Sequence, residues 1–243
     1  MLPHKKEYKP MLRYLMEALG LGIFMISIAV FGTLLLSPGL PFIHLVPSLT
    51  ARIFLLSIFM AATAFFITTS PLTSPSGAHI NPAVTISFLR LRRISTKDAF
   101  FYMLFQLVGA TVSVYLMAGL LKNKFTKPPI SYAVTLPGKW GMATAFFTEL
   151  IISAGLMLLI LFGNDNSKLK EKLPFYIALL ICFYVNTTVQ ISGFSMNPAR
   201  SFASAFPSAI WEYYWIYLSA PVAGMLLATE YYILKNKHYG KET

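Results

Sequence analysis

The chain has 243 residues, of which 56% are hydrophobic and only 12% charged, with a mean hydropathy of +0.63. Soluble domains carry about 25% charged residues, so this composition excludes a soluble globular protein and indicates a membrane one. The net charge of +11 does not call for a nucleic-acid partner. The Lys and Arg lie between long apolar runs, where membrane topology accounts for them. Cys182 is the single cysteine, which excludes an intrachain disulfide and argues against a metal cluster.

The basic start leads into an apolar run at 11–36 that carries Glu17. Its length suits a full span rather than a short cleavable signal segment. A second run follows at 51–70. Next comes Ser76-Gly77-Ala78-His79-Ile80-Asn81-Pro82-Ala83 and a short apolar stretch at 82–91. Asn is a strong helix N-cap, and Pro suits the first helical position, where no backbone N–H is needed. A helix starting at Pro82 is too short to cross a bilayer, which takes about 20 residues. The third run, 100–121, contains Gln106 and Gly109.

After a basic linker at 122–139 the pattern recurs. A fourth run at 141–163 carries Glu149, and a fifth covers 174–190. Then Ser192-Gly193-Phe194-Ser195-Met196-Asn197-Pro198-Ala199-Arg200 opens a second short stretch at 198–206. A sixth run at 213–234 places Pro221 and Gly224 where the third has Gln106 and Gly109. The expected fold is therefore all-α. It has six transmembrane helices plus two re-entrant half-helices, in one domain over 1–243. Repeat 1 covers about 11–121 and repeat 2 about 141–235. Three spans per half is an odd number, so the second repeat is inverted relative to the first. Inverted repeats built on broken helices put a functional site at the midplane.

Most of the basic residues fall on one side of this layout: Lys5, Lys6, Lys9, Arg13, Arg90, Arg92, Arg93, Lys97, Lys168, Lys170, Lys172, Lys235, Lys237 and Lys241. The other side holds Arg52, Lys122, Lys124, Lys127 and Lys139. The positive-inside rule then puts both termini in the cytoplasm, with the chain multi-pass in the plasma membrane.

Non-helical backbone at membrane depth must be buried in protein or line water. The strips before the two Asn-Pro-Ala triplets are such backbone. Their expected role is to face a pore with single-file carbonyls from Gly77, Ala78, His79, Ser192 and Gly193. Asn81, Pro82, Ala83 and Asn197, Pro198, Ala199 form the pore centre. Each Asn caps its own helix with its oxygen and keeps its amide free to donate into the pore. Two facing helix N-termini repel cations, protons included. Arg200 is expected to add a fixed positive charge that narrows the pore. Glu17 and Glu149 are expected to be structural, accepting hydrogen bonds from the loop before each half-helix. His79 reads as a loop-fixing hydrogen-bond partner, since no second ligand stands at metal spacing. No cofactor, no metal and no nucleic acid is expected.

The stretches SGAHINPAV and SGFSMNPARSF resemble the aquaporin, or major intrinsic protein, family, and the likeness runs from Glu17 to Gly224. The resemblance implies passive flow, a bilayer partner and a homotetramer with one pore per subunit. It also implies a second constriction made of Arg200, Phe194, Val185 and Ala61. The prolines Pro71 and Pro75 leave Ala62 or Phe65 as alternatives for the last position. The family's strict water channels have a Phe in the second span and a His in the fifth; this chain lacks the His, and with Ala61 in register it lacks the second-span aromatic as well. Phe194 is the residue of the glycerol-conducting branch, whereas Ser201 and Ala205 depart from that branch. An aromatic wall beside an arginine fork suits a molecule with a CH face and a hydroxyl face. The expected function is a channel for water and small uncharged solutes such as glycerol. A strict water channel is the alternative, and a secondary transporter the rival class. No nucleophile–base set or phosphate loop supports an enzyme.

Overall fold

The computed structural model describes residues 8–238, which are helical with connecting turns and no strand. Lys5, Lys6 and Lys241, used in the orientation count, lie outside the described residues. Eight helices carry the architecture: α1 (Pro10–Leu36), α2 (Leu49–Thr69), α3 (Pro82–Arg90), α4 (Thr96–Leu121), α5 (Gly141–Asp165), α6 (Leu173–Ser192), α7 (Pro198–Ser208) and α8 (Tyr214–His238). Local chemistry sets their starts. Ser48 and Ser95 cap α2 and α4 through their hydroxyls, at 3.3 Å from Ala51 N and 3.0 Å from Asp98 N. Asn81 and Asn197 cap α3 and α7, each followed by a proline at the first helical position.

Among the described residues, five helices are long and apolar enough to cross a membrane: α1, α2, α4, α5 and α6. The segment expected as the sixth span is helical, as α8 of 25 residues, but it is not apolar enough to stand among those five. Its own Glu230, paired with Arg90 at 2.6 Å, and its basic last turn lower its apolar content.

The packing pairs α1 with α4, α5 with α8, and α2 with α6. The half-helices cross between the two halves of the chain: α3 lies against α8, and α7 against α4. Two glycines set the closest crossings. A Cβ on Gly109 of α4 would overlap the carbonyl of Ala18 on α1, and one on Gly224 of α8 would overlap the carbonyl of Leu150 on α5. Small residues at such points let helix backbones touch, which is how helices associate when lipid removes the hydrophobic drive. Leu21, Met25, Leu35, Met60, Met157 and Leu161 fill the interior, while Phe54, Phe65, Val112, Leu116, Ile151, Phe183 and Leu227 face outward. Apolar side chains exposed on all the long helices need an apolar surrounding, which a bilayer provides.

Candidate functional site

The two loops before the half-helices make the same three hydrogen bonds to a buried glutamate. The Glu17 carboxylate, fully buried on α1, accepts from Ser76 Oγ (2.6 Å), His79 N (3.0 Å) and Ile80 N (2.6 Å). Glu149, fully buried on α5, accepts from Ser192 Oγ (2.7 Å), Ser195 N (3.0 Å) and Met196 N (2.7 Å). Each loop N–H that leaves helical pairing is thereby satisfied inside the protein. The loops also share a backbone path. Gly77, Ala78 and Ile80 have φ of 96°, 47° and 42°, and Gly193, Phe194 and Met196 have 78°, 51° and 53°. Left-handed residues at these places turn successive peptide groups, so amides point back to the glutamate while other carbonyls point away.

Asn81 and Asn197 meet at the head of the two half-helices, both buried. Their oxygens accept from Ala83 N (2.9 Å), and from Ala199 N (3.0 Å) and Arg200 N (3.2 Å). Their amides are not free, contrary to the expectation. Asn81 Nδ2 donates to Met196 O and Asn197 Nδ2 to Ile80 O, each at 2.7 Å. Each loop therefore holds the other, and each amide carries a second N–H beyond that bond.

A cavity of about 330 Å³ reaches this pair. It is lined by polar loop groups, among them Gly77, His79, Asn81, Ser195 and Asn197, together with the apolar Leu21, Phe24, Val84, Phe88, Leu156, Ile177 and Ile181 and with Thr68, Asn164 and Lys170. Phe194 lines the same cavity, whereas Arg200, Val185 and Ala61 do not. Those three are buried nonetheless. Val185 and Phe194 share one apolar cluster with Met60 and Ala64. On α2, Ala61 stands one turn before Ala64, which lines the cavity, while Ala62 and Phe65 are exposed. The Nε and Nη1 of Arg200 have no protein partner.

Two expected carbonyls stand elsewhere. The Ser192 carbonyl accepts the Tyr217 hydroxyl at 2.7 Å, and the residue is fully buried. Gly193 lies against Thr135 and Leu136 of the joining segment. Neither lines the cavity. The tyrosine was the missed partner, and it has a twin: Tyr102 OH donates to Ser76 O at 2.7 Å. Each tyrosine sits four residues before a position already matched between the halves, Gln106 and Pro221, so the repeat itself carried that signal. Gln106 is the asymmetric element. Its Nε2 donates to Glu17 at 2.7 Å and Thr85 at 3.2 Å. His79 bonds Thr85 Oγ1 at 3.2 Å and stacks on Phe88. Among the described residues no cluster of His, Cys, Asp and Glu could hold a metal.

The family profile described as Major intrinsic protein matches residues 10–232. Aquaporin-4 of Rattus norvegicus is 36% identical over 164 residues, covering 65% of this chain and 49% of its own length. A putative aquaporin NIP4-1 of Arabidopsis thaliana is 35% identical over 153 residues, covering 62% of this chain and 52% of its own. The chain thus spans about half the length of the curated relatives it matches. Among solved structures, the aquaglyceroporin from Plasmodium falciparum matches with a TM-score of 0.76 at 25% identity, covering 92% of this chain and 96% of that one.

Proposed function

The chain belongs to the major intrinsic protein family, and from that premise we propose that it is a passive channel for water and small uncharged solutes such as glycerol. The observation that carries this reading is the asparagine pair. Two half-helix N-termini, cross-braced by their own caps, stand in a cavity of mixed polar and apolar lining. Such a lining offers hydrogen-bond partners to a hydroxyl and apolar surface to its CH groups. Positive helix ends at the centre disfavour cations. Phe194 and the unpaired Arg200 fork supply the second constriction with Val185 and Ala61.

The matched bonds of Glu17 and Glu149 support an inverted three-plus-three repeat, with α8 as the sixth crossing. The basic loops support cytoplasmic termini in a cell membrane. The family supports a homotetramer. Members of this family are channels rather than enzymes. Alternating access would need an ionisable group free to exchange its partner. Glu17 and Glu149 instead have both oxygens committed to the loops.

Reconstitution in liposomes tests the reading. Against an impermeant osmolyte, vesicles with protein are expected to shrink faster than empty ones, and in an inward glycerol gradient to reswell quickly. Fast shrinkage without reswelling would make the protein a strict water channel. No acceleration in either run would sink the channel reading. In the same assay, Asn197→Asp is expected to cut water flux about tenfold. It loses the donor to Ile80 O and sets a carboxylate against that carbonyl. Wild-type flux from this variant would show that the pair does not shape the pore.

A further inference from the structure

A run of buried hydroxyls ties the second pore loop to the segment joining the two halves of the chain. Thr135 Oγ1 lies 2.7 Å from Ser201 Oγ, which lies 2.6 Å from Ser195 Oγ. The Ser195 hydroxyl donates to Asn197 O at 3.0 Å, and its oxygen accepts from Asn197 N at 3.2 Å. All three hydroxyl residues are buried. A hydroxyl has one hydrogen, and Ser195 spends its own on Asn197. With Ser195 donating to Asn197 O, Ser201 donates to Ser195 and Thr135 to Ser201, although either atom of each hydroxyl pair can be the donor. The run ends on the backbone of Asn197.

The first half has the same latch in other residues. His79 and Ser195 each stand two before their asparagine, and Thr85 and Ser201 each four after it. His79 bonds Thr85 as Ser195 bonds Ser201. The brace differs. Gln106 of α4 holds the first latch, and the second is held from outside the helices, by Thr135. The joining segment is itself anchored. Gly138 N donates to Ile191 O at 2.9 Å, and a Cβ on Gly193 would sit 3.0 Å from Leu136 N.

We propose that Thr135 is a positioning residue for the second pore loop, setting through Ser201 and Ser195 where Asn197 and the adjacent Arg200 stand, and so the ratio of solute to water passage. The selectivity part rests on the channel reading. The positioning part does not.

The test compares wild type, Thr135→Val and Thr135→Ser, all reconstituted and also purified in detergent. Valine keeps the shape and removes the donor, and serine keeps the donor. Thr135→Val is expected to speed amide exchange across residues 192–200 by about fivefold, the factor for one buried hydrogen bond, and to change the glycerol-to-water permeability ratio. Thr135→Ser is expected to match wild type in both. Wild-type exchange in Thr135→Val, or exchange in Thr135→Ser as fast as in the valine variant, overturns the positioning role. An unchanged ratio in a conducting Thr135→Val protein overturns the selectivity role. A wild type that conducts nothing defeats the channel reading, and the exchange arm still decides the positioning role.

Discussion

Glu149→Ala is expected to yield no monodisperse protein after extraction. Glu149 takes three hydrogen bonds from the second pore loop: a hydroxyl and two backbone amides. Alanine leaves those donors buried with nothing to accept them, at about 1–3 kcal/mol each. Such a sum competes with the whole stability of a domain, about 5–15 kcal/mol. Glu149 is also the acid that acts electrostatically on Arg200. Glu17→Ala is expected to be at least as severe, because Glu17 takes the Gln106 Nε2 bond in addition to three from its own loop. Glu149→Gln keeps one acceptor and turns an amide donor toward a loop N–H, so intermediate stability is expected. Size-exclusion profiles and melting curves in detergent would rank the three. An alanine variant at position 149 that melts with wild type would mean the carboxylate is dispensable.

The second large effect is expected where α1 meets α4. Gly109→Leu should prevent folding, and Gly109→Ala should lower the melting temperature by several degrees. The added Cβ overlaps the Ala18 carbonyl, which is backbone and cannot rotate away. The helices must separate, and overpacking a fitted contact costs about 1–3 kcal/mol even where side chains can yield. Gly224 is expected to behave alike against Leu150. The control is on the same helix: a Cβ added at Gly119 would meet nothing within 4 Å. Gly119→Ala should therefore be neutral or stabilising, by up to about 1 kcal/mol from helix propensity. Equal losses at 109 and 119 would show that general glycine flexibility matters, and not the close crossing.

Both expectations concern contacts between segments far apart in the chain, and this is where legibility divides. The helix starts at Pro82 and Pro198 were readable because an N-cap and a following proline act within a few residues. The long helices were readable because bilayer thickness sets a length that composition can reveal. The glutamates and the Gly109–Gly224 match were readable because a duplicated chain marks equivalent positions twice. The sixth run reads as a span like the others, but α8 is less apolar than they are, and its Glu230 pairs with Arg90.

The fate of individual polar atoms was not readable. The sequence by itself determined a membrane chain of two matched halves, each with a capped half-helix and a buried acid. Only the tertiary structure decided that each asparagine amide spends one N–H on the opposite loop, that Tyr217 takes the Ser192 carbonyl, and that Thr135 reaches Ser201. The reason is physical. Caps, spans and repeats follow from neighbours along the chain, whereas a buried donor takes whichever acceptor the packing of remote segments brings within about 3 Å.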